Sequence, residues 1–234
     1  MITGPPALAD YRDTFDRPDS ADLGPAWRPE FGNLVVATNR AQSRPLPSNT
    51  ARTGSWETYV GDYGGRLFTD NWELEVPIQP PVGTGSVANF TSFGVGMLED
   101  GPGPGMVLVY ATTSRTTGPA GGTRIMTWES SSIPAPGTAT NLTGQTTRAT
   151  TGTASTTTAT ITFRRRMYSA TQSMFTLLIN GAPSLTWDDT AGVVPAGDVF
   201  RRRWFIGAEA NFPNFLQNQY SSALSQVRAR DLTV

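Results

Sequence analysis

The chain has 234 residues, of which 38% are apolar and only 16% charged, with 24 glycines, 18 prolines and a net charge of −1. It contains neither cysteine nor histidine, which excludes disulfides, thiolate metal centres, histidine metal sites and every Ser-His-Asp or Cys-His catalytic arrangement. Chemistry here must rest on carboxylates, Tyr, Arg or Ser/Thr, and the near-neutral charge argues against general nucleic-acid binding.

Low charge with abundant Gly, Pro and Thr disfavours long surface helices and suits short strands joined by turns. The start, MITGPPALADYRD, has no basic stretch or long apolar run, so no secretory signal is expected. No window approaches the roughly 18 apolar residues of a membrane span, so no membrane partner is expected. All 18 basic residues are Arg, a bias that a GC-rich genome produces without any functional demand.

Strand-like runs then follow in order. NLVVAT (33–38) is the first, and WELEV (72–76) alternates cleanly, with Trp72, Leu74 and Val76 on one face and Glu73 and Glu75 on the other. FTSFGVGML (90–98) and MVLVYAT (106–112) flank EDGPGPG (99–105), which reads as a turn. TRIMTWE (123–129), TATITFRRRMY (158–168), MFTLLIN (174–180), PSLTW (183–187), RRRWFIGAEA (201–210) and SALSQVRARDLTV (222–234) complete about ten strands. Asn180-Gly181 is the strongest hairpin signal. The Thr-rich segment 137–160 reads as a loop or a solvent-exposed β-arm. Residues 213–227 are compatible with one helical turn or more, and no other segment suggests a helix of normal length. A β-sandwich or jelly roll is expected, with VRARDLTV lying beside YRDTFDR. Residues 1–12 form a lead-in and 13–234 a single domain.

Three groups of side chains are candidates for function. Trp56, Tyr59 and Tyr63 sit amid Gly and Asp in GSWETYVGDYGG, a composition that suits a glycan-stacking loop rim, with Asp62 and Asn71 available for sugar hydroxyls or calcium. The competing expectation is ordinary strand and loop aromatics. Trp72, Trp128, Trp187 and Trp204 lie in strand patterns and read as core. Arg164 to Arg166 and Arg201 to Arg203 form two triplets. Alternation places Arg164 with Arg166, and Arg201 with Arg203, on shared faces. They form either a basic interface for an acidic neighbour or ordinary salt bridges. Glu73 and Glu75 share a strand face with Cα atoms about 7 Å apart, within reach of a glycosidase carboxyl pair, or else stand on a solvated face. Glu57, Glu99, Glu129 and Glu209 are further carboxylates open to pairing across strands, in positions that the sequence does not place.

DTFDRPDSADLGPAW (13–27) resembles the opening of the concanavalin A-like (lectin/glucanase, LamG-like) jelly rolls in minor tail proteins of phages infecting actinobacteria, through Asp13, Phe15, Arg17, Asp19, Leu23, Gly24 and Trp27. FTLLINGAPSLTWDD (175–189), WFIGAEA (204–210) and VRARDLTV are similar to that fold's later hairpin, following strand and closing strand. The resemblance implies an all-β jelly-roll sandwich of two antiparallel sheets. It also implies a non-enzymatic virion protein, in the tail rather than the capsid, made in the host cytoplasm and docking to other virion proteins and to host cell-wall glycan. Glucanases of the fold carry Glu-x-Asp-x-x-Glu on one strand. Here Glu73 matches its first position, but Glu75 replaces the Asp and Ile78 the last Glu, so Glu73 and Glu75 read as a vestigial pair. A glycan-cleaving enzyme and a capsid decoration protein remain the alternatives. No cofactor or metal is demanded. A homo-oligomer is compatible with this reading, though no heptad or collagen repeat enforces one.

Overall fold

Short β-branched runs with alternating apolar positions settle most stably as sheets packed face to face. The computed structural model describes residues 8–43, 52–80, 89–96, 106–113, 122–128, 145–151, 157–197, 202–211 and 221–233. Its strands are β1 (Asp10–Asp13), β2 (Trp27–Phe31), β3 (Leu34–Val36), β4 (Ala41–Ser43), β5 (Arg52–Tyr59), β6 (Trp72–Gln79), β7 (Asn89–Val95), β8 (Met106–Thr113), β9 (Arg124–Trp128), β10 (Gln145–Thr150), β11 (Ala159–Met167), β12 (Ser173–Ile179), β13 (Ala182–Asp189), β14 (Trp204–Asn211), β15 (Ala223–Leu224) and β16 (Val227–Asp231). A 3₁₀ turn spans Asp62–Gly65.

The strands form two antiparallel sheets. One runs β13-β12-β11-β6-β15-β4-β3, with β16 also on β6 and β1 on β16, and the other runs β10-β9-β8-β7-β14-β5-β2. β1 and β16 are neighbours, with Asp10 opposite Arg230 and Asp13 opposite Val227, as the sequence leads one to expect. Asn180 and Gly181 turn the β12–β13 hairpin with φ of 52° and 79°, the left-handed pair that a tight two-residue turn requires. Part of the Thr-rich segment is edge strand β10, and of 213–227 the described part is β15 and the start of β16. The turn at 99–105 lies outside the described residues.

Between the sheets lies an aromatic core. On β6 the alternation holds, with Trp72, Leu74, Val76 and Ile78 buried in it. Trp72 meets Phe163, and Phe163 stacks on Phe175, which stacks on Trp187. Toward the seven-stranded sheet, Tyr59 stacks on Trp204 with ring centroids 4.7 Å apart, and Trp27 meets both rings edge-on.

Asp231, almost fully buried at the end of β16, gathers the chain around this core. It accepts hydrogen bonds from the backbone N–H groups of Ala9 (2.7 Å), Phe68 (2.9 Å) and Thr69 (2.9 Å) and from the Thr69 hydroxyl (3.1 Å). The opening motif is a buckle built on Asp13. Its carboxylate accepts from the Phe15 N–H (2.8 Å), from both terminal nitrogens of Arg17 (2.9 and 3.0 Å) and from the Trp27 indole N–H (2.8 Å). Arg17 also donates to the Leu23 carbonyl (2.7 Å). These bonds hold Phe15 fully buried at a φ of 50°, a region that residues other than glycine rarely adopt. Burial pushes the Asp13 carboxyl up, but the bonds from Arg17, Trp27 and Phe15 outweigh it and hold it below its ordinary value.

Asp13→Ala leaves the buried Trp27 indole N–H and the Phe15 amide without their acceptor. It is expected to lower stability by about 2–3 kcal/mol, measured by urea unfolding with an unchanged m-value.

Candidate functional site

The side chains singled out in the sequence do not converge on one place. Tyr59 belongs to the core between the sheets. Trp56 is 2% exposed and faces the opposite side of β5. Asn71 is a structural bracket: its side-chain oxygen accepts from the Met167 N–H (2.8 Å) and its carbonyl from the Leu232 N–H (2.8 Å). Asp62 and Tyr63 sit in the 3₁₀ turn and are exposed, Tyr63 by 54%. The expected three-aromatic rim is therefore corrected to a single exposed ring, Tyr63, propped edge-on by Phe68 at 6.0 Å. The alternation of β5 explains the rest. It sends Tyr59 inward and Trp56 outward into packed surroundings on both faces. Among the described residues no group of three or more acidic side chains is gathered to hold a metal ion.

Glu73 is not on a solvated face. It stands at the centre of a row across β11, β6, β16 and β1, in which Arg164, Glu73, Arg230 and Asp10 lie opposite one another in register. The Arg164 Nε donates to one carboxylate oxygen (2.8 Å) and the Arg230 Nη2 to the other (2.6 Å). The Glu73 side chain is 3% exposed, while the two arginines are 35% and 36% exposed. Burial would raise its carboxyl, but the bonds from Arg230 and Arg164 prevail and hold it below its ordinary value. A carboxylate so engaged is ionised and has no proton to donate, and both of its oxygens already accept from arginines. Glu75 is half-buried one row along, opposite Thr162 and Arg228. Pro77 faces Thr160, and Ile78 lies in the core.

The arginine triplets do not lie on adjacent strands. β11 belongs to the nine-stranded sheet, while residues 202–203 lead into β14 of the other. Arg164 holds Glu73, and Arg166 donates to the Thr233 carbonyl (2.6 Å). The middle arginines turn inward and meet. Asp70 pairs with Arg202 at 2.9 Å and with Arg165 at 3.6 Å. Arg165 also donates to the Val194 (2.7 Å) and Pro195 (3.1 Å) carbonyls. The Arg203 backbone carbonyl accepts from the Gly96 N–H (2.8 Å). Arg201 lies outside the described residues. The expected shared basic patch is thus replaced by separate ion pairs and backbone anchors, because the strands belong to different sheets.

The feature that sequence reasoning missed is the outer face of the seven-stranded sheet. Trp56, Met126, Trp128 and Phe205 are buried yet lie outside the core cluster between the sheets. Trp56 stacks on Phe205 at 5.0 Å and meets Trp128 edge-on at 5.7 Å. β5 and β9 are four strand spacings apart, about 19 Å on a flat sheet, so contact between their tryptophans requires this face to be concave. The middle of the trough is floored by small residues, with Gly94 opposite Phe205 and Ser92 opposite Gly207. The Trp128 indole N–H and the Thr58 hydroxyl are buried without a hydrogen-bond partner. Among the described side chains of its central rows, Thr58, Trp56, Phe205, Ser92, Met126 and Trp128, there is no carboxylate. Glu209 pairs in register with Gly54 and Phe90, and Glu99 and Glu129 lie outside the described residues. The signal for this trough was present in the sequence as Gly and Ser alternating with Phe on β7 and β14, a pattern that marks close approach of another group to the sheet.

Two outcomes follow. A Cβ at position 207 would meet the Trp56 ring at 2.1 Å and the Ser92 hydroxyl at 2.6 Å, so Gly207→Ala is expected to cost about 1–3 kcal/mol in thermal or urea unfolding. Glu73→Gln is expected to cost about 1–2 kcal/mol at neutral pH, discounted for the partial exposure of its arginines. Because the folded carboxyl lies below its unfolded value of 4.5, that stabilisation is complete above 4.5 and is lost as pH falls through the folded value. The wild-type and Gln forms should therefore converge in stability in strong acid.

No family model matches the chain, and no curated protein matches it. Solved structures do. An endo-1,3-beta-glucanase from Streptomyces sioyaensis is 12% identical, with a TM-score of 0.62 and 99% of each chain covered. A prokaryotic beta-1,3-1,4-glucanase (lichenase) derived from a mouse hindgut metagenome is 10% identical, with a TM-score of 0.53 over 95% of this chain and 98% of the other. The VIP36 exoplasmic/lumenal domain, solved in a form with Ca2+ and Man2 bound, is 12% identical, with a TM-score of 0.51 over 96% and 88%. Identities this low carry the fold alone, and the fold is the concanavalin A-like sandwich shared by lectins and glucanases.

Proposed function

We infer that the chain is a non-hydrolytic concanavalin A-like module that binds carbohydrate and docks to protein neighbours in a larger assembly. The observation that carries this reading is the clamping of Glu73 by Arg164 and Arg230, which removes the one motif carboxylate that the sequence offers for glycoside cleavage. The fold supports the carbohydrate part, since its solved neighbours include glucanases and the VIP36 exoplasmic/lumenal domain in its Ca2+/Man2-bound form. For direct contact with sugar the exposed Asp62–Tyr63 turn is the accessible aromatic-acidic pair. The protein-docking part is supported by the outer face of the nine-stranded sheet, where Asp10, Arg230, Glu73 and Arg164 alternate in charge. Placement in a phage virion, in the tail rather than the capsid, rests on the resemblance of residues 13–27 to minor tail proteins. Phe15, Leu23 and Trp27 of that stretch are buried core residues.

A glycan-cleaving enzyme is the second reading, favoured by the glucanase among the similar folds. Under it, Glu209 on β14 would be the first carboxylate to test.

The experiment is co-sedimentation with actinobacterial cell walls, with soluble glycans as competitors and reducing ends assayed in parallel. Saturable binding competed by a defined sugar is expected, without release of reducing ends. Tyr63→Ala is expected to bind about tenfold more weakly, equivalent to about 1.4 kcal/mol, with unchanged stability because the ring is exposed. Release of reducing ends that stops in Glu209→Gln would establish the enzymatic reading instead.

A further inference from the structure

β5 carries Trp56 on its outer face and Glu57 on its inner one. The Glu57 side chain is 2% exposed and accepts a hydrogen bond at 2.7 Å from the backbone N–H of Leu34. Leu34 opens β3 of the nine-stranded sheet, whereas β5 belongs to the seven-stranded one. The bond therefore joins the two sheets directly at this edge of the sandwich.

The surroundings of Glu57 differ from those of the other buried acids. Asp13, Asp70 and Glu73 each have at least one arginine in contact. Asp189 and Asp231 each take two or more backbone N–H groups. Glu57 has the single Leu34 donor. Opposite it in register stand Pro29 on β2 and Ile206 on β14, both uncharged. β3 contributes Leu34, Val35 and Val36, and β4 contributes Ala41, Gln42 and Ser43, none of them charged. The charges that act on it are Asp22 and Glu30, both of its own sign. The nearby arginine, Arg28, is occupied by Glu30 at 2.6 and 3.0 Å.

We propose that Glu57 is an acid-closed latch between the two sheets, sealing β5 against β3 while it carries its proton and loosening that edge when the proton is lost. A neutral carboxyl fits this apolar seam with one donor, whereas an unpaired carboxylate does not. Burial raises the carboxyl to about 7; the Leu34 bond opposes the rise, and Asp22 and Glu30 add to it. A folded value above the unfolded 4.5 means that the contribution is fully present below 4.5 and is lost as pH rises through about 7. The latch thus works across the neutral range, opposite in sign to the arginine-paired carboxylates, which weaken only in acid. Because Trp56 is the adjacent residue, the strand that loosens is also the one that supplies a ring to the trough on the far side.

The test is amide hydrogen exchange of the full chain, followed by NMR from about pH 5.5 to 8.5 and corrected for intrinsic exchange. In the wild type, protection of the Leu34 amide should fall on the order of 30-fold over that range, as expected for a group moving between 4.5 and about 7. In Glu57→Gln it should stay flat, since the amide oxygen still accepts from Leu34 and nothing titrates. Flat Leu34 protection in the wild type, or the same fall in Glu57→Gln, would overturn the proposal. If the variant does not fold, the carboxyl carbon of Glu57 in the wild type gives the answer. An inflection near neutrality supports the latch, and one in the ordinary carboxylate range removes it.

Discussion

Asp231 joins pieces of chain that are far apart in sequence. One carboxylate receives the backbone N–H of Ala9, before β1, and those of Phe68 and Thr69, ahead of β6. Without that acceptor, three backbone donors, that of Ala9 fully buried, would lose their partner, and the pairing of β1 with β16 and of β16 with β6 would lose its fixed point. A chain with neither cysteine nor lysine has few other ways to fasten distant segments. It uses acids in that role repeatedly. Asp13 buckles the opening segment, Asp189 takes the amides of Val193 and Val194, and Asp70 draws together Arg165 of β11 and Arg202 just ahead of β14.

The same habit decides how the sheet faces divide their work. On the nine-stranded sheet, Glu73 is neutralised within its own row by Arg164 and Arg230. The concave face of the seven-stranded sheet is built from rings over glycine and serine, and its described side chains contribute shape and stacking rather than acid-base groups. The fold is shared with a peanut lectin and with glucanases, so function follows the site rather than the architecture.

Much of the architecture was legible in the sequence because it was local. The alternation of WELEV, the Asn180-Gly181 turn and the apolar runs of β8, β11 and β12 each state their structure within a few residues. β5 was not legible as a strand, since RTGSWETY buries residues on both faces and mixes Glu, Thr and Ser with Trp and Tyr, so no polar face marks the alternation. The short strands β2 and β4 depend on partners that the sequence does not name, whereas the pairing of β1 with β16 was expected from the two chain ends. The site was less legible than the fold for the same reason. Whether Glu73 is solvated or clamped is settled by Arg164 and Arg230, which lie 91 and 157 residues away. That the middle arginines of two separate triplets share Asp70 is likewise a fact about sheet packing alone.

The antiparallel pairing of β1 with β16 also has a mechanical meaning. Asp10 lies opposite Arg230, so tension applied through residues 8 and 233 enters at one end of this strand pair. Such a load opens the ladder one rung at a time rather than shearing all its bonds together. The Ala9–Asp231 bond stands at the mouth of that zipper and takes the force first. A sandwich held in this way yields to a pull on its ends at low force, while resisting pressure across its faces, where the two sheets bear on a packed aromatic interior.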